Sequence, residues 1–374
     1  MVTKKRSIGN GGITFDKARN AYRTYITTPD GTRLFKRFKE EADAIEWKST
    51  QLHHIHKGTF VQPSDITIGE WMIEWLTTYK KDTVKQRTYE RYTSLAKHVM
   101  AIADYKLQDM KPLQVQHFYK SLSPQLSACT IAKVHKLLKD MYNKALELEL
   151  IQKNIMTIVK PPKFEKKEVE TFTLSELDTI LSSCKNDAVL KKYYPIILLA
   201  ATTGMRLGEV LGLQWCDVNF FDSTVYIRKS LQQSSALGLI LETPKTKTSI
   251  RRIKVTQECI DELKNLKSHA KNIDHKQETL CFITRNGTPI APRNFERVWQ
   301  LLLDSNHANI DYKNFHVLRH THATELLGAG IPLSDVAKRL GHSKQSHTLE
   351  LYAHAMPNHD EIITNAIQKL YVVK

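Results

Sequence analysis

A chain of 374 residues with 55 Lys and Arg against 39 Asp and Glu carries a formal charge of +16, too long for one small module and basic enough to point to a polyanionic partner, nucleic acid first, with a merely soluble basic protein as the alternative. Its five cysteines (Cys129, Cys184, Cys216, Cys259 and Cys281) form no C-x-x-C pair, which argues against both zinc and a disulfide framework. No apolar run reaches the length of a membrane span, and Met1-Val2-Thr3-Lys4-Lys5-Arg6 leads into polar residues, so a cytoplasmic protein that does not engage a membrane is expected.

The basic excess is spread along the chain. The first 60 residues carry 12 basic and 6 acidic side chains, residues 61–165 carry 16 and 11, and the remainder 27 and 22. A disordered basic arm would concentrate the charge, whereas an even spread suits a protein that lies along a duplex with each of its parts.

From Gly11 to Phe38 the pattern is β. Ile13 and Phe15 are followed by Ala21-Tyr22-Arg23-Thr24-Tyr25-Ile26, a Pro29-Asp30-Gly31 turn and Leu34-Phe35-Lys36-Arg37-Phe38. Glu40 to Leu52 then predicts a helix that offers Ala44, Ile45, Trp47 and Leu52 to the sheet. The other face is expected to bear Arg19, Arg23, Arg33, Lys36 and Arg37, as DNA-binding residues of a small sheet able to enter a major groove. His53-His54-Ile55-His56 has no cysteine or second ligand pair at finger spacing and predicts a polar helix end and linker, not a metal site.

Thr67 to Val159 reads as helical. Trp71, Ile73, Trp75 and Leu76 open an apolar cluster, and Tyr89, Tyr92, Leu95 and Val99 recur at helical spacing. Ile131, Val134, Leu137, Leu138, Met141 and Ala145 mark a long helix. Its lysines, Lys133, Lys136, Lys139 and Lys144, lie elsewhere on it; Lys133 and Lys136 are the candidate phosphate contacts. Lys160-Pro161-Pro162-Lys163 stops the helix, and the charged stretch from Glu165 to Glu170 predicts a linker. Thr173 with Glu176 has capping-box spacing. The rest of the chain reads as helices around a short β region (Val225 to Arg228, Leu239 to Glu242, Ser249 to Val255). Three domains are expected, at 1–60, 61–163 and 168–374: a three-stranded sheet with a helix, an all-helical domain, and a mainly helical α+β domain.

The chemistry-bearing residues fall in the third domain. Ala201-Thr202-Thr203-Gly204-Met205-Arg206-Leu207-Gly208-Glu209 holds one arginine, Thr246-Lys247-Thr248 a lysine, His316-Val317-Leu318-Arg319 a histidine and a second arginine, Leu340-Gly341-His342 another histidine, and Tyr352 comes ten positions on. A phosphodiester repels nucleophiles and has a poor leaving group, so cleaving it without metal requires cations, a nucleophile and an acid from side chains. Guanidinium stays charged and presents paired donors to non-bridging oxygens. Glu209, three residues after Arg206, shares its side of a helix.

This order resembles the tyrosine recombinases, the phage integrase family, and most resembles integrases of temperate phages and integrative elements of Gram-positive bacteria. The resemblance implies site-specific recombination with no cofactor and no metal. Tyr352 would be the nucleophile, Arg206 and Arg319 the phosphate cations, His316 a base or phosphate-orienting group, and His342 a hydrogen-bond donor. Lys247, on a β-hairpin, would be the general acid, with Lys245 the alternative two positions away, and Glu209 would support Arg206. His320, His322, His347 and His354 would tune or pack the motif. The first domain would bind arm-type DNA and the second core DNA.

The implied partners are double-stranded attachment-site DNA, three further copies of the chain in a tetramer on paired sites, a host DNA-bending protein and an excision factor. Asp360 to Leu370, with Ile362, Ile363, Ala366, Ile367 and Leu370 at helical spacing, would dock on a neighbour or on its own protomer. One departure from the family pattern is Arg252-Ile253-Lys254-Val255, where a strand ending in Ile-Pro is frequent. The rival readings are a type IB topoisomerase, a DNA-binding regulator without catalysis, and a metal-dependent nuclease or transposase, for which no carboxylate cluster is evident.

Overall fold

The computed structural model describes residues 11–165, 169–244, 246–269, 278–304, 306–343, 346, 348, 349 and 364. The chain divides into two compact units, residues 1–165 and 166–374.

In the first unit, β1 (Gly12–Asp16), β2 (Ala21–Thr27) and β3 (Arg33–Phe38) form an antiparallel sheet in sequence order, and α1 (Glu41–His56) packs on it. The helix runs one turn beyond its predicted end and takes in His53, His54 and His56. Thr24, Ile26 and Ala44 are wholly buried between the layers, while Ile45, expected there, is 53% exposed. Strand parity separates the cations. Arg23 pairs with Arg37 across the ladder and Thr27 with Arg33, which puts the three arginines on one face with Tyr25 and Phe35. Lys36 has the opposite parity: its Nζ sits 5.3 Å from the Phe38 ring centroid and 6.0 Å from that of Trp47. It therefore belongs to the helix-covered side, and the five-residue basic face expected from composition is corrected to Arg23, Arg33 and Arg37, with Arg19 in the β1–β2 turn.

The helical part continues with α2 (Ile68–Glu74), extended by a π-helical segment Trp75–Lys80, then α3 (Gln86–Val99), α4 (Pro112–Leu122) and α5 (Ala128–Glu147). All six apolar residues expected from the α5 stripe are buried. Trp71 and Trp75 join the same core, but Ile73 is 58% exposed. Two residues from each tryptophan, it is rotated about 200° away from them on the helix. Lys133, Lys136 and Lys139 are exposed on α5, whereas Lys144 pairs with Glu147 at 3.0 Å.

The second unit contains α6 (Leu174–Asn186), α7 (Tyr194–Thr203), α8 (Leu207–Leu211), β4 (Val218–Asn219), β5 (Thr224–Ile227), β6 (Ser230–Ser234), β7 (Gly238–Glu242), β8 (Arg251–Lys254), α9 (Gln257–His269), α10 (Pro292–Leu303), α11 (Val317–Gly328) and α12 (Leu333–Leu340). Thr173 and Glu176 close the predicted capping box at 3.1 and 2.7 Å. The strands form a β4-β5-β8 sheet and a separate β6-β7 hairpin. β8 thus returns to β5, not to β7. Lys247 lies in the 3-10 turn Lys247–Ser249 before β8, which corrects its expected place on a hairpin. α7 is apolar on all sides and buried through nearly its whole length, as a helix surrounded by others must be.

The exposure of Ile73 is testable. Ile73→Ala should leave the free energy of unfolding in urea nearly unchanged, within about 0.5 kcal/mol, whereas Trp75→Ala, which empties a buried site in the same helical run, should cost about 3–5 kcal/mol.

Candidate active site

The site begins where α7 stops. Gly204 takes a left-handed conformation (φ +67°), and a Cβ there would stand 2.7 Å from Leu340 Cδ2 and 2.8 Å from His322 Cδ2. Both the backbone angle and the lack of space require glycine. The chain reverses through buried Met205, and Arg206 becomes the N-cap of α8.

Glu209, in the first turn of α8, is almost wholly buried. Its Oε1 accepts from Arg206 Nη1 at 2.7 Å, and its Oε2 accepts from the Arg206 backbone N–H at 3.1 Å and from Arg251 Nη2 at 3.0 Å. Burial alone would raise the carboxyl pKa, but the charge and hydrogen bond of Arg251, then Arg206 and Arg319, outweigh it and leave the pKa below its ordinary value. A buried carboxylate thus holds two guanidiniums: Arg251, interior, and Arg206, whose side chain is 39% exposed.

Arg319 lies in the first turn of α11 and is 1% exposed. Its Nη1 donates to the Gly204 carbonyl and its Nη2 to the Leu340 carbonyl, each at 2.7 Å, so it joins the end of α7 to the end of α12. His322, one turn further on, accepts from Arg339 Nε at 3.1 Å, and Arg339 Nη2 donates to the Thr202 carbonyl at 3.0 Å. Burial, with the Arg339 charge, pushes His322 down to about 4.

His316 caps the N-terminus of α11. The preceding Phe315 is wedged between Phe295 and Trp299, with ring centroids 5.0 and 5.1 Å away, and the His316 backbone N–H donates to Asn314 Oδ1 at 3.0 Å. His316 is exposed as a residue, yet partial desolvation of its imidazole, with His320, Arg319 and Arg206 nearby, lowers its pKa to about 4. It is neutral at physiological pH and able to accept a proton. His342 comes directly after the left-handed Gly341, and its Nδ1 is 2.7 Å from the Thr348 hydroxyl.

Arg206, Glu209, His316 and Arg319 are thereby gathered together: both arginines and the glutamate act on His316 electrostatically. His342 is brought close along the chain by the Arg319 bond to Leu340. Lys247 is placed by its backbone in the turn before β8. Tyr352 and Lys245 lie outside the described residues, as do His347, His354 and the 360–370 stripe, apart from Thr364. Arg19, Arg23, Arg33, Lys36, Arg37, Lys133 and Lys136 belong to the first unit. Three residues went unnoticed in the sequence: Arg251, Arg339 and Thr348. Among the described residues, no group of three His, Cys, Asp or Glu side chains could hold a metal ion, and no helix is long and apolar enough to cross a membrane.

The buried carboxylate and the tight turn each have a measurable consequence. Because the native pKa of Glu209 is depressed, its contribution to stability is complete above the unfolded-state value, about 4.3, and is lost as pH falls through the native one. Glu209→Gln should therefore cost about 3 kcal/mol at pH 7 and flatten the acid limb of stability against pH; an unchanged acid limb in chemical denaturation would contradict the assignment. Gly204→Ala should also destabilise, by more than about 1 kcal/mol, read as a lowered melting temperature.

Residues 170–359 match the phage integrase family, and residues 67–123 match the phage integrase N-terminal SAM-like domain. The chain is 30% identical to a tyrosine recombinase XerC-like protein of Caldanaerobacter subterraneus subsp. tengcongensis, over 99% of both chains. In structure it is similar to the Tn1549 transposon integrase solved with a circular intermediate DNA (TM-score 0.70, 21% identity, 81% of this chain and 99% of that one). It is also similar to lambda integrase, solved as a tetramer on a Holliday junction (TM-score 0.59, 16% identity, 96% and 99%). A family match across half the chain, and a relative 30% identical along its whole length, show that this protein belongs to the phage integrase family of tyrosine recombinases.

Proposed function

We propose that the protein is a site-specific DNA recombinase that integrates and excises a mobile element through a 3′-phosphotyrosyl intermediate. The observation that carries this reading is the Arg206–Glu209–Arg251 arrangement beside a neutral His316. It presents a partly exposed guanidinium, fixed by a buried carboxylate, next to a base that is uncharged at working pH.

In the proposed reaction Arg206 offers its remaining donors to the non-bridging oxygens of the scissile phosphate, where charge builds in the transition state. Arg319 adds positive field from the interior and holds the segments on either side. His316 takes the proton of the Tyr352 phenol, whose ordinary pKa near 10 leaves it protonated at neutral pH. In the tautomer whose Nδ1 accepts from the Thr348 hydroxyl, His342 carries its proton on Nε2 and can donate to the phosphate. Tyr352 Oη bonds to phosphorus, the P–O5′ bond breaks, and Lys247 protonates the departing oxygen. The 5′ hydroxyl of the partner strand then reverses the step, so the bond energy is retained and neither metal nor nucleotide is consumed.

Two such exchanges, through a Holliday junction, occupy four protomers on two attachment sites. A host DNA-bending protein and an excision factor would set direction. The domain roles complete the reading: residues 1–60 bind arm DNA through Arg19, Arg23, Arg33 and Arg37, residues 61–163 grip the core site with Lys133 and Lys136 on α5, and residues 168–374 perform the chemistry. Arg23 lies 4.3 Å from the Phe35 ring centroid and Arg33 5.2 Å from that of Tyr25, so aromatic rings hold both guanidiniums on the outer face.

Suicide DNA nicked near the crossover, incubated in EDTA, should give a denaturation-resistant adduct with the wild type and none with Tyr352→Phe. Binding by both proteins with an adduct from neither would favour the regulator reading. Relaxation of a lone supercoiled circle without recombination between two sites would favour a topoisomerase.

A further inference from the structure

Arg251 is 8% exposed and uses all three of its guanidinium nitrogens. Nη2 donates to Glu209 Oε2 at 3.0 Å, Nη1 to the Ser249 carbonyl at 3.0 Å and Nε to the Arg339 carbonyl at 2.6 Å. These acceptors belong to three different parts of the site. Glu209 carries Arg206, Ser249 closes the turn that begins at Lys247, and Arg339 leads through Leu340 and Gly341 into His342. The turn is also tied within itself, Ser249 N–H to the Thr246 carbonyl at 3.1 Å and Thr246 hydroxyl to Ser249 hydroxyl at 2.8 Å. A Cβ on Gly341 would meet both Arg251 Nη1 and the Thr248 carbonyl at 3.1 Å, so the turn, Arg251 and the approach to His342 are packed without slack.

We infer that Arg251 is a positioning residue for departure of the 5′ oxygen: it sets the distance of the Lys247 turn from the carboxylate that fixes Arg206. The inference rests on the strand-cleavage reading of this site. A general acid works only within hydrogen-bond reach of the leaving atom, and a displacement of about 1 Å can cost about 100-fold in rate. A lysine at position 251 keeps the charge but has one nitrogen, which cannot serve three acceptors in three directions.

The test uses full-length protein and suicide DNA in two forms, with oxygen or with sulfur at the 5′ bridging position of the scissile phosphate. A thiol with a pKa of about 8.5 leaves as the thiolate and needs no proton, so the sulfur substrate bypasses the acid. Arg251→Lys should form adduct about 100-fold more slowly than wild type on oxygen DNA and close to the wild-type rate on sulfur DNA, as should Lys247→Ala. Glu209→Gln, which loosens Arg206, should be slow on both. Adding Arg251→Lys to Lys247→Ala should cost little more than either change alone.

If Arg251→Lys is equally slow on both substrates, or if Lys247→Ala is not restored by sulfur, the inference is wrong. It is wrong too if neither Arg251→Lys nor Arg251→Gln unfolds cooperatively, since the residue would then be a brace of the fold. If the wild type forms no adduct on either DNA, the strand-cleavage reading itself fails and this inference with it.

Discussion

A carboxylate shut away from water between two guanidiniums is the interaction on which the second unit's functional end depends. Isolated at that depth, Glu209 would take up a proton, and the geometry would lose its centre. Arg251 and Arg206 keep it ionised, and in return each is fixed by it. The consequence is local and long-range at once: Arg206 is held as the N-cap of a helix only five residues long, and that helix is tied to a strand 42 positions away. Removing one partner would strand a buried charge, which is why such a pair resists piecemeal change. Gly208 and Gly212 complete the fit, because a Cβ at either would come within 2.7 Å of β6 or its side chains.

Buried Arg319 and half-buried Arg339, with neutral His322, solve a second problem, the unpaired carbonyls at helix ends. α7 ends in the interior, where water cannot satisfy its last carbonyl groups. Arg339 takes that of Thr202, Arg319 that of Gly204, and His322 hydrogen-bonds at Ala201. The end of α12 is treated the same way, with Arg251 on the Arg339 carbonyl and Arg319 on that of Leu340. Positive charge at a helix C-terminus is favourable in itself, so the guanidiniums that gather the site also terminate the helices that form it. His316, partly desolvated and next to His320, Arg319 and Arg206, stays neutral.

Much of this was legible in the chain. The α5 stripe and the capping box at Thr173 could be read from periodicity and spacing, and the resemblance to the tyrosine recombinases pointed to Arg206, Glu209, His316 and Arg319. The misses have physical reasons. Arg251 sits in Arg-Arg-Ile-Lys and passes for surface charge, yet it shares strand parity with buried Ile253, while Arg252 and Lys254 point outward. The same parity rule separates Lys36 from Arg23 and Arg37. Ile45 and Ile73 show the converse: an apolar residue near a stripe is not on it unless the helical angle agrees. The pairing of β8 with β5 was beyond local reading, because an apparent hairpin partner, β7, lies closer in sequence and pairs with β6 instead. Thr348 offered no signal beyond a hydroxyl six positions after a histidine.

In the proposed reaction this geometry serves a tyrosine nucleophile on a DNA phosphate. The most direct test is to trap the covalent protein–DNA product, digest it with protease and nuclease, and locate the nucleotide remnant by mass spectrometry. A 3′-phosphonucleotide should be found on the peptide containing Tyr352. A remnant on any other residue, or one attached through a 5′ phosphate, would contradict the proposed reaction.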